Sequence, residues 1–581
     1  MRTFPFLVLV AVLAGCAANP PAETAESRPP NIILVITDDQ GYGDIAAHGN
    51  TMIHTPSMDR LHGESVRMTN FHVDPTCAPT RSAVMTGKYS SRTGVWHTIM
   101  GRSIVAADET MLPKLLADKG YATAMFGKWH LGDNHPFLPE DKGFQRVVRH
   151  GGGGVQQTPD YWGNDYFDDT YWADGVPTKY EGYCTDVWFD EALKFIEQNK
   201  EKPFFTYLAT NAPHGPYLVD EKYSQPYKDK GVASPMAEFY GMIENVDENL
   251  GRLDAKLTEL GLRDNTVLIF MTDNGTAAGV ANPRRPVAEG AWPGFNADMR
   301  GQKGSEYEGG HRVPFFVRWP AGKFGEPRDV ETLAAHIDIL PTLAEIAEVN
   351  LSASLDIDGK SLLPLLRGEG DWPERTLGVH SQRIDFPERW RKSAMMTQQW
   401  RLINGEELYD VQGDPSQERD VSGDHPEVKD ALRQAYDAWW NHIDERFDEY
   451  VAIPIGQGPE ATRITAHDWH PADEQDSSVP WNQPAIMRNP VTNGHWVIEV
   501  PVAGQYELEL YQWDKPAEKT LDAISARAQV GDVKAEANVP AGATSVKLQM
   551  ELPAGQTKMQ TWLHAKDGTE RGAFFVYAKK L

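Results

Sequence analysis

Four apolar runs, each broken off by a polar cluster, organise the first half of the chain. Asn31 to Thr37 (NIILVIT) is continuous and rich in β-branched residues, the pattern of a parallel strand buried on both faces. It ends in Asp38-Asp39-Gln40-Gly41-Tyr42-Gly43-Asp44. Tyr121 to Phe126 (YATAMF) runs into Gly127-Lys128-Trp129-His130, and Pro203 to Ala209 (PFFTYLA) into Asn211-Ala212-Pro213-His214. Thr266 to Thr272 (TVLIFMT) stops at Asp273-Asn274-Gly275. Between the last two, Ile243, Val246, Leu250, Leu253 and Leu257 recur at helical spacing and predict a long helix over about Met236 to Leu260. Strands alternating with helices predict an α/β fold around a mostly parallel sheet, in which ligands bind beyond the carboxyl ends of the strands. All four runs carry their polar residues at that end, which points to one site.

Further along, Met299 to Gly304 and Tyr307 to Gly310 make a glycine-rich loop that leads into another strand, Val313 to Trp319. Within residues 375–445, Trp400 to Ile403 and Glu407 to Asp410 predict a β-hairpin, followed by a helix over about Pro426 to Ile443. Beyond residue 446 the period changes to two. Trp496 to Val500, Tyr506 to Tyr511, Ser545 to Leu552 and Ala573 to Ala578 alternate, with Gly and Pro between them, and predict a β-sandwich. The expected units are therefore 29–374, a small antiparallel α+β region 375–445, and an appended sandwich 446–581. The run Gly151–Gly154 reads as a flexible loop.

Length and charge narrow the classes. A chain of 581 residues needs two or three units. A net charge of -27 argues against nucleic-acid binding, which needs a basic footprint, but leaves room for a local basic pocket that takes an anionic group. The amino end carries Arg2, an apolar stretch Leu7 to Ala14 too short for a stable span, and Leu13-Ala14-Gly15-Cys16. This resembles a bacterial lipobox: residues 1–15 as signal peptide, Cys16 as lipidated amino terminus, and 16–28 as a flexible tether. An exported lipoprotein at the periplasm or cell surface is expected, outer-membrane anchored if the source is Gram-negative, with an ordinary cleaved signal as the other reading. Cys77 and Cys184 are too few for a disulfide framework, although one bridge between them stays open.

The candidate chemistry begins with oxygen ligands. Asp38 and Asp39 at one strand end and Asp273 and Asn274 at another suit a hard cation, calcium better than magnesium when the protein supplies most ligands. Histidine and thiolate clusters at zinc spacing are absent. The most informative segment is Pro75-Thr76-Cys77-Ala78-Pro79-Thr80-Arg81. Its Cys-x-Pro-x-Arg resembles the signature of the type I sulfatases, of the alkaline phosphatase-like superfamily. The resemblance runs over about residues 29–445 and takes in Gly-Lys-Trp-His, Pro-His-Gly-Pro, Asp-Asn-Gly and Arg-Gly-Gln-Lys-Gly.

The resemblance implies that Cys77 is oxidised to formylglycine by a separate maturation enzyme and joins Asp38, Asp39, Asp273 and Asn274 as a calcium ligand. It implies hydrolysis of a sulfate ester through a hydrated aldehyde and a covalent sulfo-enzyme, with Arg81 and Lys128 holding the formylglycine hydroxyls. His214 and Lys303 would contact the sulfate and help protonate the leaving group, and His130 would be the base that releases sulfate. His97, His150, Arg284, Arg285, Arg300 and His311 are weaker candidates for a substrate subsite. The substrate expected is a sulfated polysaccharide or its oligosaccharides. Trp481, Trp496, Tyr511 and Trp513 are candidates for stacking on sugars, with sandwich core as their other reading. Two alternatives remain: a phosphonate monoester hydrolase or phosphodiesterase of the same superfamily, and a non-catalytic glycan-binding lipoprotein.

Overall fold

The structure is a computed structural model describing residues 28–370, 372–458, 460–471 and 479–581. The apolar leader, Cys16 and the tether as far as residue 27 lie outside the described residues. Among the described residues no helix is long and apolar enough to cross a membrane.

The apolar runs become the centre of a ten-stranded sheet. Strand β1 (Asn31–Thr37) lies between β3 (Phe204–Ala209) and β4 (Thr266–Thr272) and is parallel to both, and β2 (Ala122–Gly127) is parallel to β3 on its other side. All four are buried along their whole length, which is why their sequences show no alternation. β5 (Phe315–Arg318) runs antiparallel to β4, so the sheet is mixed, with a parallel core. Helices cover both faces. The helix Met236–Glu259 buries Ile243, Val246, Leu250, Leu253 and Leu257 in one core cluster, while the helix Ile339–Ile346 packs in a second cluster on the other face. The α/β class read from the periodicity is the observed one.

A four-stranded antiparallel sheet (Leu377–His380, Ser393–Met396, Trp400–Ile403, Glu407–Asp410) follows, backed by the helix Pro426–Ile443. The described chain beyond residue 452 forms a seven-stranded and a four-stranded sheet around one apolar core. Three strands there, Ser525–Val530, Val533–Asn538 and Gly555–His564, are absent from the sequence-based expectation. Their Ala, Gln, Lys and Glu residues are weak strand formers, and the pairing of Ser525–Val530 with both of the others holds them.

This core is not closed on itself. Met100, Ile104 and Phe137, from the loops around the parallel sheet, are buried in it beside Trp469, Trp496 and Ile498. Polar links reinforce the seam. The Arg463 guanidinium donates to the carbonyls of Pro159 at 2.8 Å and Thr158 at 3.3 Å while pairing with Asp514 at 2.7 Å. Gln483 Nε2 reaches the carbonyls of Gln157, Asp160 and Tyr161. Replacing Arg463 by alanine strands several buried acceptors, and a cost of about 2 kcal/mol or more is expected. The checks are a lower denaturation midpoint and faster amide exchange over residues 156–161.

Candidate active site

The site lies where the carboxyl ends of β1, β2, β3 and β4 converge with the amino end of the helix Cys77–Thr86. Cys77 is the first residue of that helix and is 2% exposed, too deep for an ordinary surface thiol. Cys77 and Cys184 are both free, so the open question of a bridge between them is settled against it. Cys184 starts the helix Cys184–Gln198, where its sulfur meets the Asn211 side chain at 3.6 Å.

Oxygen and sulfur atoms of Asp38, Cys77 and Asp273 lie within 4.8 Å of one another, as do ligating atoms of Asp38, Asp39 and His214. Each carboxylate has a cation. Lys128 Nζ is 2.7 Å from Asp38, Arg81 Nη2 is 2.8 Å from Asp273, and Lys303 Nζ is 2.5 Å from Asp39. Arg81 and Lys128 are fully buried, which excludes the reading of either as a solvated surface charge. Burial raises the Asp38 carboxyl against the pull of Lys128, and burial followed by the charge of Asp38 pushes Asp273 up to about 6. Burial acts on Asp39 in the same sense, yet Lys303, His214 and Lys128 together hold it below the usual carboxylate range.

These residues fit a divalent cation on independent grounds. Asp38 Oδ1 and Asn274 Oδ1 are buried without a hydrogen-bond partner. The Asn274 amide donates to Asp39 Oδ1 at 3.0 Å and to the Gly275 carbonyl at 2.9 Å, which leaves its oxygen free. Crowded carboxylates with raised proton affinity and unpartnered hard oxygens form the donor set of a calcium- or magnesium-type site.

The two predicted histidines are placed differently. His214 Nε2 lies 3.8 Å from Asp39, and burial, partly opposed by Asp39, lowers its pKa to about 3. His130 is buried with positive φ, and its Nε2 meets the Thr98 carbonyl at 2.9 Å. Burial first, then the Lys128 charge, lowers its proton affinity well below normal, so the ring is neutral and Nδ1 has no partner.

The run Gly151–Gly154 is not the flexible loop expected from its composition. It is buried, and its lack of side chains is what lets the backbone touch the histidines. A Cβ on Gly153 would sit 2.1 Å from His130 Cε1, and one on Gly154 would sit 3.1 Å from His214 Nδ1. Asp133 and Asp160 accept from the amides of Gly152 and Gly151, and Gln157 from that of Gly153.

Asp39, His214 and Lys303 form part of the wall of an open cleft of about 460 Å³, and Arg284, Arg285 and Trp481 also line it. Of the weaker candidates, Arg300 and His311 stand away from it. The Arg300 guanidinium covers the Tyr307 ring at 3.7 Å and donates to Tyr409 Oη at 3.1 Å. His311 is buried against His72, Nδ1 to Nδ1 at 2.9 Å, beside the Glu308–Arg401 pair. Arg300 ties the loop to the small antiparallel sheet, and His311 ties it to the short strand Phe71–His72. His97 is buried with Nδ1 accepting from the Thr98 amide at 2.6 Å, so it supports the Thr98 backbone that meets His130. His150 is buried with Nδ1 on the Gly151 carbonyl. Of the four aromatic candidates, Trp496 and Tyr511 are core, Trp513 is half-buried, and Trp481 is 40% exposed.

Comparison with known proteins agrees with this geometry. The sulfatase family model matches residues 30–349, and the model described as N-sulphoglucosamine sulphohydrolase, C-terminal, matches 302–439. Human arylsulfatase A is 29% identical over 493 residues, covering 74% of this chain and 90% of that protein. The N-acetylglucosamine-6-O-sulfatase of Bacteroides thetaiotaomicron is 26% identical, covering 72% of this chain and 86% of the relative. The solved structure of Ps i-CgsB in complex with k-i-k-neocarrahexaose superposes with a TM-score of 0.62 at 26% identity, over 71% of this chain and 93% of that one. Members of the family generally use a formylglycine and a divalent metal. A cysteine at the head of a buried helix, facing carboxylates that are each matched to a cation, on a fold shared with these proteins, places the chain in the sulfatase family, as a sulfuric ester hydrolase.

Proposed function

We propose that the protein removes sulfate from sulfated polysaccharides or their oligosaccharides, using calcium and a formylglycine made from Cys77. The observation that carries this reading is the position of Cys77 at a helix amino end, among Asp38, Asp273 and their paired cations. The relatives named for N-acetylglucosamine 6-sulfate and crystallised with neocarrahexaose favour a glycan substrate. In the proposed site Asp38, Asp39, Asp273, Asn274 and modified Cys77 hold calcium, which would act as a Lewis acid toward the sulfate oxygens. Formylglycine, once formed and hydrated, would supply one hydroxyl to attack sulfur and a second whose deprotonation restores the aldehyde.

The remaining work falls to the chain's own side chains. Arg81 and Lys128, already fixed by Asp273 and Asp38, orient residue 77 and offset negative charge around it. Burial pulls the Lys303 pKa down most strongly of any single cause, but Asp39 and the neighbouring acidic groups together raise it, so it keeps its proton and is the cation that meets the departing oxygen. His214 Nδ1 donates to the Gly215 carbonyl at 2.7 Å, so Nε2 is the nitrogen left for the cleft, and it donates to sulfate when the ring is protonated. His130 has an unpartnered Nδ1 that can accept a proton, against the burial and Lys128 charge that lower its proton affinity. Because Cys77 is buried in the folded chain, the maturation enzyme must meet it before folding is complete. Cys16 as a lipid anchor at the cell surface would bring the site to extracellular glycans.

Four experiments test the reading. Tryptic mass spectrometry of active protein should show residue 77 as formylglycine, and Cys77→Ala should abolish turnover of 4-nitrophenyl sulfate; full activity with an unmodified thiol would refute the mechanism. Higher kcat/KM on an aryl phosphonate ester than on the sulfate would favour the phosphonate hydrolase alternative. Removing calcium with EGTA should abolish turnover and lower the melting temperature. Calcium at about 100 times its Kd should then restore both, worth about 2.7 kcal/mol of stability. Gly153→Ala should fold, yet displace His130 and lower kcat by roughly 10² or more, read against an unchanged far-ultraviolet dichroism spectrum.

A further inference from the structure

The cleft is also lined by side chains that the sulfate chemistry does not use. Trp481 is the one tryptophan among the exposed large apolar side chains of the described residues. It lies in a segment of the carboxyl-terminal third that reaches across to the parallel-sheet region. Thr158 donates its amide to the Trp481 carbonyl at 3.0 Å and its hydroxyl to the Pro480 carbonyl at 2.7 Å. The Gln483 amide reaches the Gln156 carbonyl at 2.9 Å, and Asn482 caps the short helix Gln483–Met487. The backbone is therefore fixed while the indole stands open on the cleft, with no ring stacked on it and no partner on its N–H among the described residues.

Guanidinium groups line the same cleft. Arg285 is occupied, donating to Tyr217 Oη at 3.0 Å and to the Ala277 carbonyl at 2.6 Å. Arg284 and Arg383 also line the cleft, are exposed, and make no ion pair with any described residue. In a chain of net charge -27, two unpaired arginines beside an open tryptophan form a local positive field. Guanidinium binds planar or tetrahedral oxyanions through paired N–H donors, and an indole face takes the apolar C–H face of a pyranose.

We propose that Trp481, Arg284 and Arg383, on the wall of this cleft, form a subsite for the sugar unit next to the one that carries the scissile sulfate, and that it selects a neighbour bearing its own anionic group. Trp481 stacks on the ring, and Arg284 and Arg383 pair with a second sulfate ester or a uronate carboxylate. The inference rests on the sulfatase reading of Asp39, His214 and Lys303 in the same cleft.

The test compares kcat/KM on three defined disaccharides with kcat/KM on 4-nitrophenyl sulfate, which has no neighbouring sugar. The disaccharides carry the same scissile sulfate, with a neighbour that is sulfated, uronic or neutral. Trp481→Ala should lower the disaccharide-to-aryl ratio about ten-fold or more, and Trp481→Phe should restore most of it. The Arg284→Ala, Arg383→Ala double variant should lower the ratio by a similar factor for the anionic neighbours only. The arm with the larger loss identifies sulfate or carboxylate as the preferred group. An unchanged ratio in Trp481→Ala, or an arginine effect as large on the neutral neighbour, overturns the proposal. If the wild-type protein hydrolyses none of these esters, the sulfatase reading fails by itself. Calorimetric binding of the same disaccharides to wild type and Trp481→Ala then decides the subsite, with equal affinities overturning it.

Discussion

The organising constraint is a concentration of buried charge that no single residue of the site could sustain. Asp38, Asp39 and Asp273 crowd together at the carboxyl edge of the parallel strands, and ionised carboxylates at such depth are costly unless paired. The chain answers with Arg81, Lys128 and Lys303, each from a different segment and each matched to one carboxylate. The helix that begins at Cys77 brings Arg81, the end of β2 brings Lys128, and the glycine-rich loop before β5 brings Lys303. Backbone bonds join the same segments, Lys128 to the Ala209 carbonyl at 2.7 Å and Gly304 to the Pro75 carbonyl at 2.8 Å, so main chain and charge converge on one place.

Much of this was legible in one dimension. A strand buried on both faces must read as an unbroken apolar run, and a run that stops at Asp-Asp or Asp-Asn marks the sheet edge where a ligand can be reached. That logic located Asp38, Asp39, Asp273, Asn274, Lys128 and His214, and the Cys77 signature added Arg81. Other features resisted because their signal is not periodic. Gly151–Gly154 has the composition of a flexible loop, and only the proximity of Gly153 to the His130 ring shows that the missing side chains make room for an imidazole. Arg300 and His311 sit in a polar, glycine-rich stretch as a substrate-binding loop would, yet they spend their donors on Tyr409 and His72. Trp481 could not be told from Trp496, because exposure depends on which face of the last third meets the cleft.

The carboxyl-terminal sheets also change meaning once their interior is considered. Alternation along their strands predicts a sandwich with a core of its own. The core instead takes in Met100, Ile104 and Phe137 from loops around the active site. Residues that close the apolar interior of one region are thus neighbours in sequence of residues that serve the other, such as Thr98 beneath His130.

That shared interior sets an order of assembly during synthesis. The loop of residues 151–160, which presses on His130 and His214, is anchored in part by Arg463 and Gln483, which leave the ribosome long after it. Folding from the amino end can form the parallel sheet early, since its strands pair among themselves. The wall over the histidines is finished only when the end of the chain arrives. The contacts that hold this loop against the two histidines are thus among the last that the chain can supply.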